Sequence, residues 1–267
     1  MDELQRYLIE CKKKKGFLFV PYHAFGDPDP DTSMKVVRTL FNAGADSIEI
    51  GLPFSDPVAD GPVLQRTFRR ILQHEFSMQN FIDFLSKIKE EFPDKKILVM
   101  GYINLFLQFG IEKLFEKFYK NNVRGVIIPD VPMEEKSYII EQYNLHKFEN
   151  KISWIDFITP TTQPHRLVKI AQNARGFIYM VSYKGVTGRN SFDLKPISKL
   201  FKQIRKYTGV PILVGFGVKT SANVKMALEY ADGFIIASRL HELIEQNLND
   251  RQKIPGLIEQ ELKLLLA

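Results

Sequence analysis

Short apolar runs alternate with longer amphipathic stretches along the whole chain. The apolar runs are rich in β-branched and aromatic residues and predict eight strands, at 17–21, 47–51, 97–102, 125–128, 152–158, 177–181, 211–214 and 233–237. The stretches between them predict helices, for example at 32–42, 78–91, 111–120, 134–143, 164–173, 195–207 and 222–229. Because strands and helices alternate throughout, the pattern predicts a parallel sheet.

The strands at 97–102 and 233–237 are almost continuously apolar, as expected when both faces of a sheet are covered. Eight parallel strands avoid exposed edges only by closing into a barrel. An open doubly wound sheet is the alternative, but the turn after the first strand, at 23–28, lacks the glycine-rich dinucleotide fingerprint. No linker or shift in composition divides the chain. We therefore predict a single α/β domain over residues 1–267, a (β/α)8 TIM barrel.

Composition agrees with a globular enzyme of this size. The 267 residues are 45% hydrophobic and 25% charged, which is typical of soluble domains. The only cysteine, Cys11, excludes an intramolecular disulfide and fits a reducing compartment. The first residues lack the apolar core of a secretory signal, and no apolar stretch approaches the ~18 residues that span a bilayer. These features predict a cytoplasmic protein with no membrane partner.

The chain is basic, with a formal net charge of +6. Basic character alone supports only weak, salt-sensitive binding of nucleic acid, and the lysines and arginines are dispersed. The dense run at 12–15 precedes a predicted strand, and we interpret it as a solvated edge rather than a binding arm. An anionic small substrate explains the charge equally well. We predict no nucleic-acid partner.

Two acids stand where a barrel places its chemistry. Glu49 lies between isoleucines near the end of the second strand, and Asp60 follows eleven residues later in a loop with three prolines. A strand-end glutamate can also simply reach water or pair with a lysine, and Asp56 and Asp60 can simply cap turns. In an apolar barrel mouth, however, burial would raise the pKa of Glu49 and prepare it to exchange protons near neutral pH.

Glycines in two late loops point to a phosphate. Gly185 and Gly188 follow the sixth strand, and Gly215 and Gly217 follow the seventh. Glycine lets backbone N–H groups approach an anion closely, and barrels often bind phosphate near strands seven and eight. Ser238, just after the eighth strand, adds a hydroxyl and the first amide of a helix. We find no metal-ligand spacing among the five histidines and no serine or cysteine nucleophile motif.

The chain resembles the tryptophan synthase alpha chain family. The resemblance is carried by the run IEIGLPFSDPVADGP at 48–62. Further matches follow in the family's order on the predicted loops: Gly26-Asp27-Pro28, Tyr102 with Asn104, Pro129-Asp130-Val131-Pro132, Tyr179, Gly185-Val186-Thr187-Gly188 and Gly215-Phe216-Gly217.

The resemblance implies retro-aldol cleavage of indole-3-glycerol phosphate to indole and glyceraldehyde 3-phosphate. It implies that Glu49 protonates indole C3 and takes the proton of the glycerol hydroxyl. It also implies that the Asp60 carboxylate accepts a hydrogen bond from the indole N–H. Thr187 would bind Asp60 when the loop at 183–192 closes. The remaining implied substrate-binding residues are Tyr22, Met100, Ile127 and Phe216 at the indole, Tyr102 and Tyr179 beside the substrate, and Gly188, Gly217 and Ser238 at the phosphate.

The family also implies a partner, a beta chain that carries pyridoxal phosphate and receives indole in an α2β2 heterotetramer. The alpha chain itself would need no cofactor and no metal. Asp56 and Pro57 would lie toward that partner.

The segment His23-Ala24-Phe25 departs from the family, which tends to have small or aliphatic residues and threonine there. Ala237 and Arg239 flank Ser238 where the family usually has glycine and alanine. A methyl group at Ala237 would crowd the phosphate contact, and we expect Arg239 to face solvent rather than to compensate with its charge.

Two other functions remain open on the sequence. One is another phosphate-binding barrel enzyme, such as indole-glycerol phosphate synthase or a sugar-phosphate isomerase, although those usually need a catalytic lysine or histidine at strand ends. The other is a catalytically weakened barrel that acts mainly as an allosteric activator of a beta chain. The presence of Glu49, Asp60 and Thr187 argues against such a loss.

Overall fold

A computed structural model describes residues 1–74, 76–181, 194–215 and 217–267. Within them, nine strand segments form one sheet in which every pairing is parallel. The strands are β1 Leu18–Ala24, β2 Ser47–Gly51, β3 Lys96–Met100, β4 Val123–Ile127, β5 Ser153–Trp154, β6 Asp156–Ile158, β7 Ile178–Val181, β8 Ile212–Gly215 and β9 Gly233–Ile236. Their order in the sheet is β5-β4-β3-β2-β1-β9-β8-β7-β6.

The predicted barrel is confirmed, with its fifth strand divided in two. The chain is continuous from β5 to β6 through Ile155; β5 pairs with β4 and β6 pairs with β7. The Ile155 amide still donates to the Val126 carbonyl, at 2.9 Å. The two segments therefore act as one strand that joins the ends of the sheet, and no strand edge needs other protection.

The helices lie between the strands as the alternation predicts. Their bounds are α1 Glu3–Lys15, α2 Pro30–Asn42, α3 Pro62–Ile71, α4 Met78–Glu91, α5 Ile103–Phe109, α6 Ile111–Lys120, α7 Met133–Gln142, α8 Pro164–Asn173, α9 Ser198–Arg205, α10 Ser221–Tyr230, α11 Ser238–Gln246 and α12 Ile254–Leu266. Short 3-10 helices cover Leu145–Phe148, Lys195–Ile197 and Arg251–Lys253. The predicted helices at 78–91, 111–120 and 164–173 have the observed bounds.

The lysine run at 12–15 is largely exposed, as the interpretation as a solvated edge expects, but it lies on a helix. These lysines form the last turn of α1, where positive charge favours the helix dipole. Lys12 pairs with Asp232, and Lys15 pairs with Asp46 at 2.7 Å. The run therefore fastens α1 to the starts of two strands.

Alternation along β1 separates two apolar layers. Leu18, Val20 and Tyr22 face the barrel interior, whereas Phe19 packs in the layer between the strands and the outer helices. The interior layer also contains Leu98, Met100, Ile127, Ile155, Phe177, Tyr179, Leu213 and Ile235. Because side chains alternate along a strand, the parity of each position decides whether it faces the helices or the interior.

Helix α1 closes the end of the barrel at which the strands begin. Leu4 and Leu8 are fully buried in the interior layer. Asp2 caps the helix by accepting from the Gln5 amide at 2.8 Å, and it also accepts from the Ser153 hydroxyl and the Gly176 amide. Because α1 covers this end, a ligand can enter at the opposite end, where the strands end.

Candidate active site

Glu49 points into the barrel because of its parity in β2. Its neighbours Ile48 and Ile50 pack in the outer layer, so Glu49 lies on the interior face. In the register between β1 and β2, Tyr22 is the direct partner of Glu49. The two side chains therefore stand next to each other inside the barrel mouth.

The surroundings of Glu49 disfavour its charged form. The residue is 1% exposed, and within the described part of the chain its Oε2 has no hydrogen-bond partner. Burial, followed by the negative charge of Asp60, raises the pKa of Glu49 to about 8. The carboxyl group is thus protonated at neutral pH and able to give a proton to a ligand.

Asp60 is held by the loop between β2 and α3. Its Oδ2 accepts a hydrogen bond from the Tyr102 hydroxyl at 2.5 Å, and that hydroxyl accepts from the Ala59 amide at 3.0 Å. The ring of Tyr102 stacks on Phe54 from the same loop. Burial raises the pKa of Asp60 to about 6, although the hydrogen bond from Tyr102 acts in the opposite direction. Asp60 is therefore mostly ionised at neutral pH, unlike Glu49.

A cavity of about 540 Å³ opens at this end of the barrel, within the usual size range of small-molecule sites. It brings together most of the residues that the sequence analysis named and that the structure describes: Tyr22, Glu49, Asp60, Met100, Ile127, Tyr179, Gly217 and Ser238. Its lining combines apolar side chains of the interior layer with the acids Glu49 and Asp60. Such a cavity suits a flat apolar ring that carries a polar tail.

Other predicted site residues lie elsewhere. Tyr102 stands behind Asp60 and acts on that carboxylate, which the resemblance alone did not indicate. In the loop expected to face a partner, Asp56 is exposed whereas Pro57 is buried within the chain. Thr187, Gly188 and Phe216 lie outside the described residues.

The end of the cavity expected to hold phosphate contains Gly217 and the start of α11. Gly217 has a positive φ of 80°, a conformation that favours glycine. Ser238 is the first residue of α11, so its amide belongs to the N-terminal turn, where N–H groups are available to an anion. Ala237 also lines the cavity. Arg239, which was expected to face solvent, pairs with Glu261 of α12 through two hydrogen bonds of 2.6 and 2.8 Å.

Comparison with known proteins identifies the family of this chain. The family model for the tryptophan synthase alpha chain matches residues 8–263. The chain belongs to this family. It is 37% identical over 257 residues to the tryptophan synthase alpha chain of Bacillus licheniformis, covering 96% of this chain and 94% of that one. It is 36% identical over 234 residues to the alpha chain of Leptospira interrogans, covering 88% of each.

Solved structures give the same result. The crystal structure of the tryptophan synthase alpha subunit from Legionella pneumophila superposes with a TM-score of 0.83 at 26% identity, covering 99% of this chain and 98% of that one. Within the described residues, none of the helices combines the length and apolar character required to cross a membrane. The same residues hold no group of three histidine, cysteine, aspartate or glutamate side chains arranged to bind a metal ion.

A buried polar network stands where the sequence departs from the family. His241 of α11 hydrogen-bonds Asp27 through Nδ1 at 2.7 Å and accepts from the Ala24 amide through Nε2. Arg70 of α3 donates two hydrogen bonds to the same aspartate. His23 stacks on His241 with ring centroids 5.5 Å apart. The network therefore connects the end of β1 with α3 and α11.

The sequence analysis missed this network because it treated the five histidines as scattered. Burial, followed by the proximity of His241, lowers the pKa of His23 to about 3, so its ring is neutral. A usable signal was present, since His23 is a polar residue inside an otherwise apolar strand. Its partner His241 lies 218 residues later in α11, which follows β9. The two residues come together only because β1 pairs with β9 in the closed barrel.

Proposed function

We propose that the chain cleaves indole-3-glycerol phosphate to indole and glyceraldehyde 3-phosphate, as the alpha subunit of a tryptophan synthase. The observation that carries this proposal is the pair of acids in the cavity. Glu49 is buried and protonated at neutral pH, and Asp60 is ionised and fixed by Tyr102. Family membership supports a lyase role in tryptophan synthesis.

The two carboxyl groups have separate tasks in this reaction. Protonated Glu49 gives its proton to C3 of the indole ring, which leaves a cationic ring that can accept an electron pair. Asp60 accepts the indole N–H and stabilises that positive charge. The carboxylate of Glu49 then removes the proton of the adjacent glycerol hydroxyl, the carbon–carbon bond breaks, and an aldehyde and indole result.

The remaining groups bind the substrate. Met100 and Ile127 line the cavity beside Tyr22 and form the slot for the indole ring, which Phe216 completes, while Tyr179 flanks the substrate. Gly217 and the first amide of α11 at Ser238 hold the phosphate together with Gly188. Thr187 reaches Asp60 when its loop closes.

We further propose that the chain works with a beta chain in an α2β2 assembly in the cytoplasm. Pyridoxal phosphate belongs to that beta chain, and this chain uses no cofactor of its own. The loop that holds Asp60 also exposes Asp56 and Val58, and Val58 is 83% exposed. An exposed apolar residue within the loop that holds Asp60 suits a surface at which a partner could influence the site. Residues 1–267 are expected to unfold as one barrel domain.

Indole release from indole-3-glycerol phosphate tests the proposal, measured with and without a beta chain. We expect indole and glyceraldehyde 3-phosphate in equal amounts, formed faster when the beta chain is present. Activation of the beta reaction without indole release in either condition would instead support the weakened barrel that acts only as an activator. Release of neither product, with no effect on the beta chain, would exclude both functions.

A further inference from the structure

Three buried side-chain atoms lack a hydrogen-bond partner among the residues that the structure describes: Tyr22 Oη, His23 Nδ1 and Glu49 Oε2. Tyr22 and Glu49 line the same cavity. An unsatisfied buried polar group destabilises the fold, so folded proteins rarely keep one without a reason. Two such atoms on side chains that line one cavity point to a polar ligand atom that could satisfy both.

The position of the Tyr22 hydroxyl follows from the strand register. Tyr22 is the direct partner of Glu49, yet its ring lies over Gly51, two residues nearer the mouth on the same interior face. A Cβ atom at Gly51 would stand only 1.9 Å from Tyr22 Oη. Glycine at this strand end therefore makes room for the hydroxyl, which lies over the residue two places nearer the mouth than Glu49.

A second tyrosine repeats this packing across the barrel. Tyr179 of β7 lies over Gly215 of β8, where a Cβ atom would approach the ring to 2.1 Å. Both rings thus rest on strand-end glycines and narrow the mouth from two sides. A phenylalanine in place of Tyr22 would narrow the mouth equally, so the narrowing does not explain why Tyr22 carries a hydroxyl.

The chemistry of the two atoms is complementary. Burial, followed by the negative charges of Asp60 and Glu49, raises the pKa of Tyr22 far above its ordinary value, so this hydroxyl stays a neutral donor. Both groups can act on one substrate hydroxyl. The carboxylate removes the proton of that hydroxyl, and the tyrosine donates a hydrogen bond to its oxygen. In the proposed cleavage that oxygen belongs to the glycerol hydroxyl on the carbon attached to indole.

We propose that the Tyr22 hydroxyl donates a hydrogen bond to the glycerol oxygen from which Glu49 removes the proton. In this step Glu49 takes the proton, the O–H electron pair becomes the second bond of the aldehyde, and the carbon–carbon pair moves into the protonated indole ring. Tyr22 keeps its own proton and stabilises the oxygen while it carries extra negative charge. This inference rests on the proposed function and adds a substrate-binding role to it.

The test combines Tyr22→Phe with two ligands. One ligand is indole-3-glycerol phosphate, and the other is a deoxy analogue in which a CH2 group replaces the carbon that bears the reacting hydroxyl. We expect Tyr22→Phe to lower kcat/KM for the substrate by roughly 10- to 100-fold, as loss of a hydrogen bond to a charged group does. The affinity for the deoxy analogue should change by less than about two-fold, because that ligand lacks the oxygen in question.

Tyr7→Phe is the matched control. The Tyr7 hydroxyl donates to the Asp46 carbonyl at 2.6 Å near the base of the barrel, so its removal should lower stability and leave kcat/KM unchanged. Circular dichroism melting of both variants verifies that each is folded. An unchanged kcat/KM for Tyr22→Phe would overturn the inference, and so would a loss of affinity for the deoxy analogue as large as the loss of kcat/KM for the substrate. If the unaltered protein releases no indole at all, the proposed function fails instead.

Discussion

Two buried acids, one near each end of the barrel, have opposite surroundings. At the base, Asp232 accepts from the Ile212 amide at 2.7 Å and pairs with both Lys12 and Arg205. Burial alone would raise its pKa, but these hydrogen bonds outweigh burial and hold the pKa below its ordinary value. At the mouth, Glu49 is more deeply buried, has an unpartnered oxygen among the described residues, and is protonated at neutral pH.

The difference shows what separates a structural acid from a reactive one. Desolvation acts on both groups, so the partners decide the outcome. A buried carboxylate surrounded by donors stabilises the fold and exchanges no protons near neutral pH. A carboxyl group left without donors destabilises the fold slightly and becomes available for proton transfer. Substitutions at the two ends should therefore have opposite profiles.

The largest effect is expected for Glu49→Gln. The amide has nearly the same shape but cannot move protons, so kcat for indole release should fall about 10³-fold. The folded protein should be no less stable, because the buried carboxyl has no ion pair to lose within the described structure. Steady-state kinetics and thermal melting measure both quantities.

The same variant also tests the pH dependence of stability. The folded pKa of Glu49 is raised from 4.5 to about 8, so between these values the unfolded chain releases a proton that the folded protein keeps. This contribution makes the free energy of unfolding fall as pH rises from about 4.5 to about 8, and Glu49→Gln should remove it. Wild-type kinetics in the glutamine variant would refute the catalytic role.

Asp232→Asn is expected to show the reverse profile. Removing the charge leaves Lys12 and Arg205 without the negative charge that neutralises them. We expect the unfolding free energy to fall by about 2 kcal/mol and no more, because both cations are partly solvated. The folded variant should keep kcat/KM within about two-fold, since it is altered at the far end of the barrel. Urea denaturation gives the first quantity. A large loss of activity in the fully folded variant would contradict the separation of the two ends.

Tyr102→Phe should shift a pH profile. In the proposed reaction the ionised form of Asp60 accepts a hydrogen bond from the indole N–H, so kcat/KM should fall below about pH 6. The Tyr102 hydroxyl stabilises the ionised form, and its loss should move this acidic limb upward by roughly one pH unit. An unmoved limb with lower activity throughout would mean that Tyr102 supports only the packing of the loop.

The smallest effect is expected for Arg239→Ala. Arg239 pairs with Glu261 at a partly exposed position, so the variant should lose less than about 1 kcal/mol of unfolding free energy. The KM for the phosphorylated substrate should stay unchanged, because the guanidinium is directed to α12. A several-fold rise in KM would show that Arg239 helps to hold the phosphate despite its pairing.

The sequence predicted the barrel well because alternation and strand parity are local properties. The helix bounds at 78–91 and the interior orientation of Glu49 follow from periodicity alone. Helix α1 was not predicted because only two of its residues, Leu4 and Leu8, are buried and its last turn consists of lysines. This apolar stripe is too short to indicate a helix until the fold places it against the barrel base. The pairing of His23 with His241 joins residues far apart in sequence, which one chain without its fold does not reveal.

The site was predicted in the same uneven way. Glu49 and Asp60 were named from their position and from the family motif, and the structure places both in one cavity. The role of Tyr102 as the donor to Asp60 depends on how the loop folds back on the third strand, and the unsatisfied hydroxyl of Tyr22 depends on its ring resting over Gly51. These two contacts depend on tertiary packing, which a local sequence pattern does not predict.

The claim that the mouth keeps Glu49 protonated near neutral pH is tested most directly by its titration. The side-chain carboxyl carbon, labelled with 13C and assigned by comparison with Glu49→Gln, reports its ionisation by NMR. We predict a midpoint at about pH 8, with the signal of the protonated form at pH 6. A midpoint near 4.5, the ordinary value for a glutamate, would contradict this account.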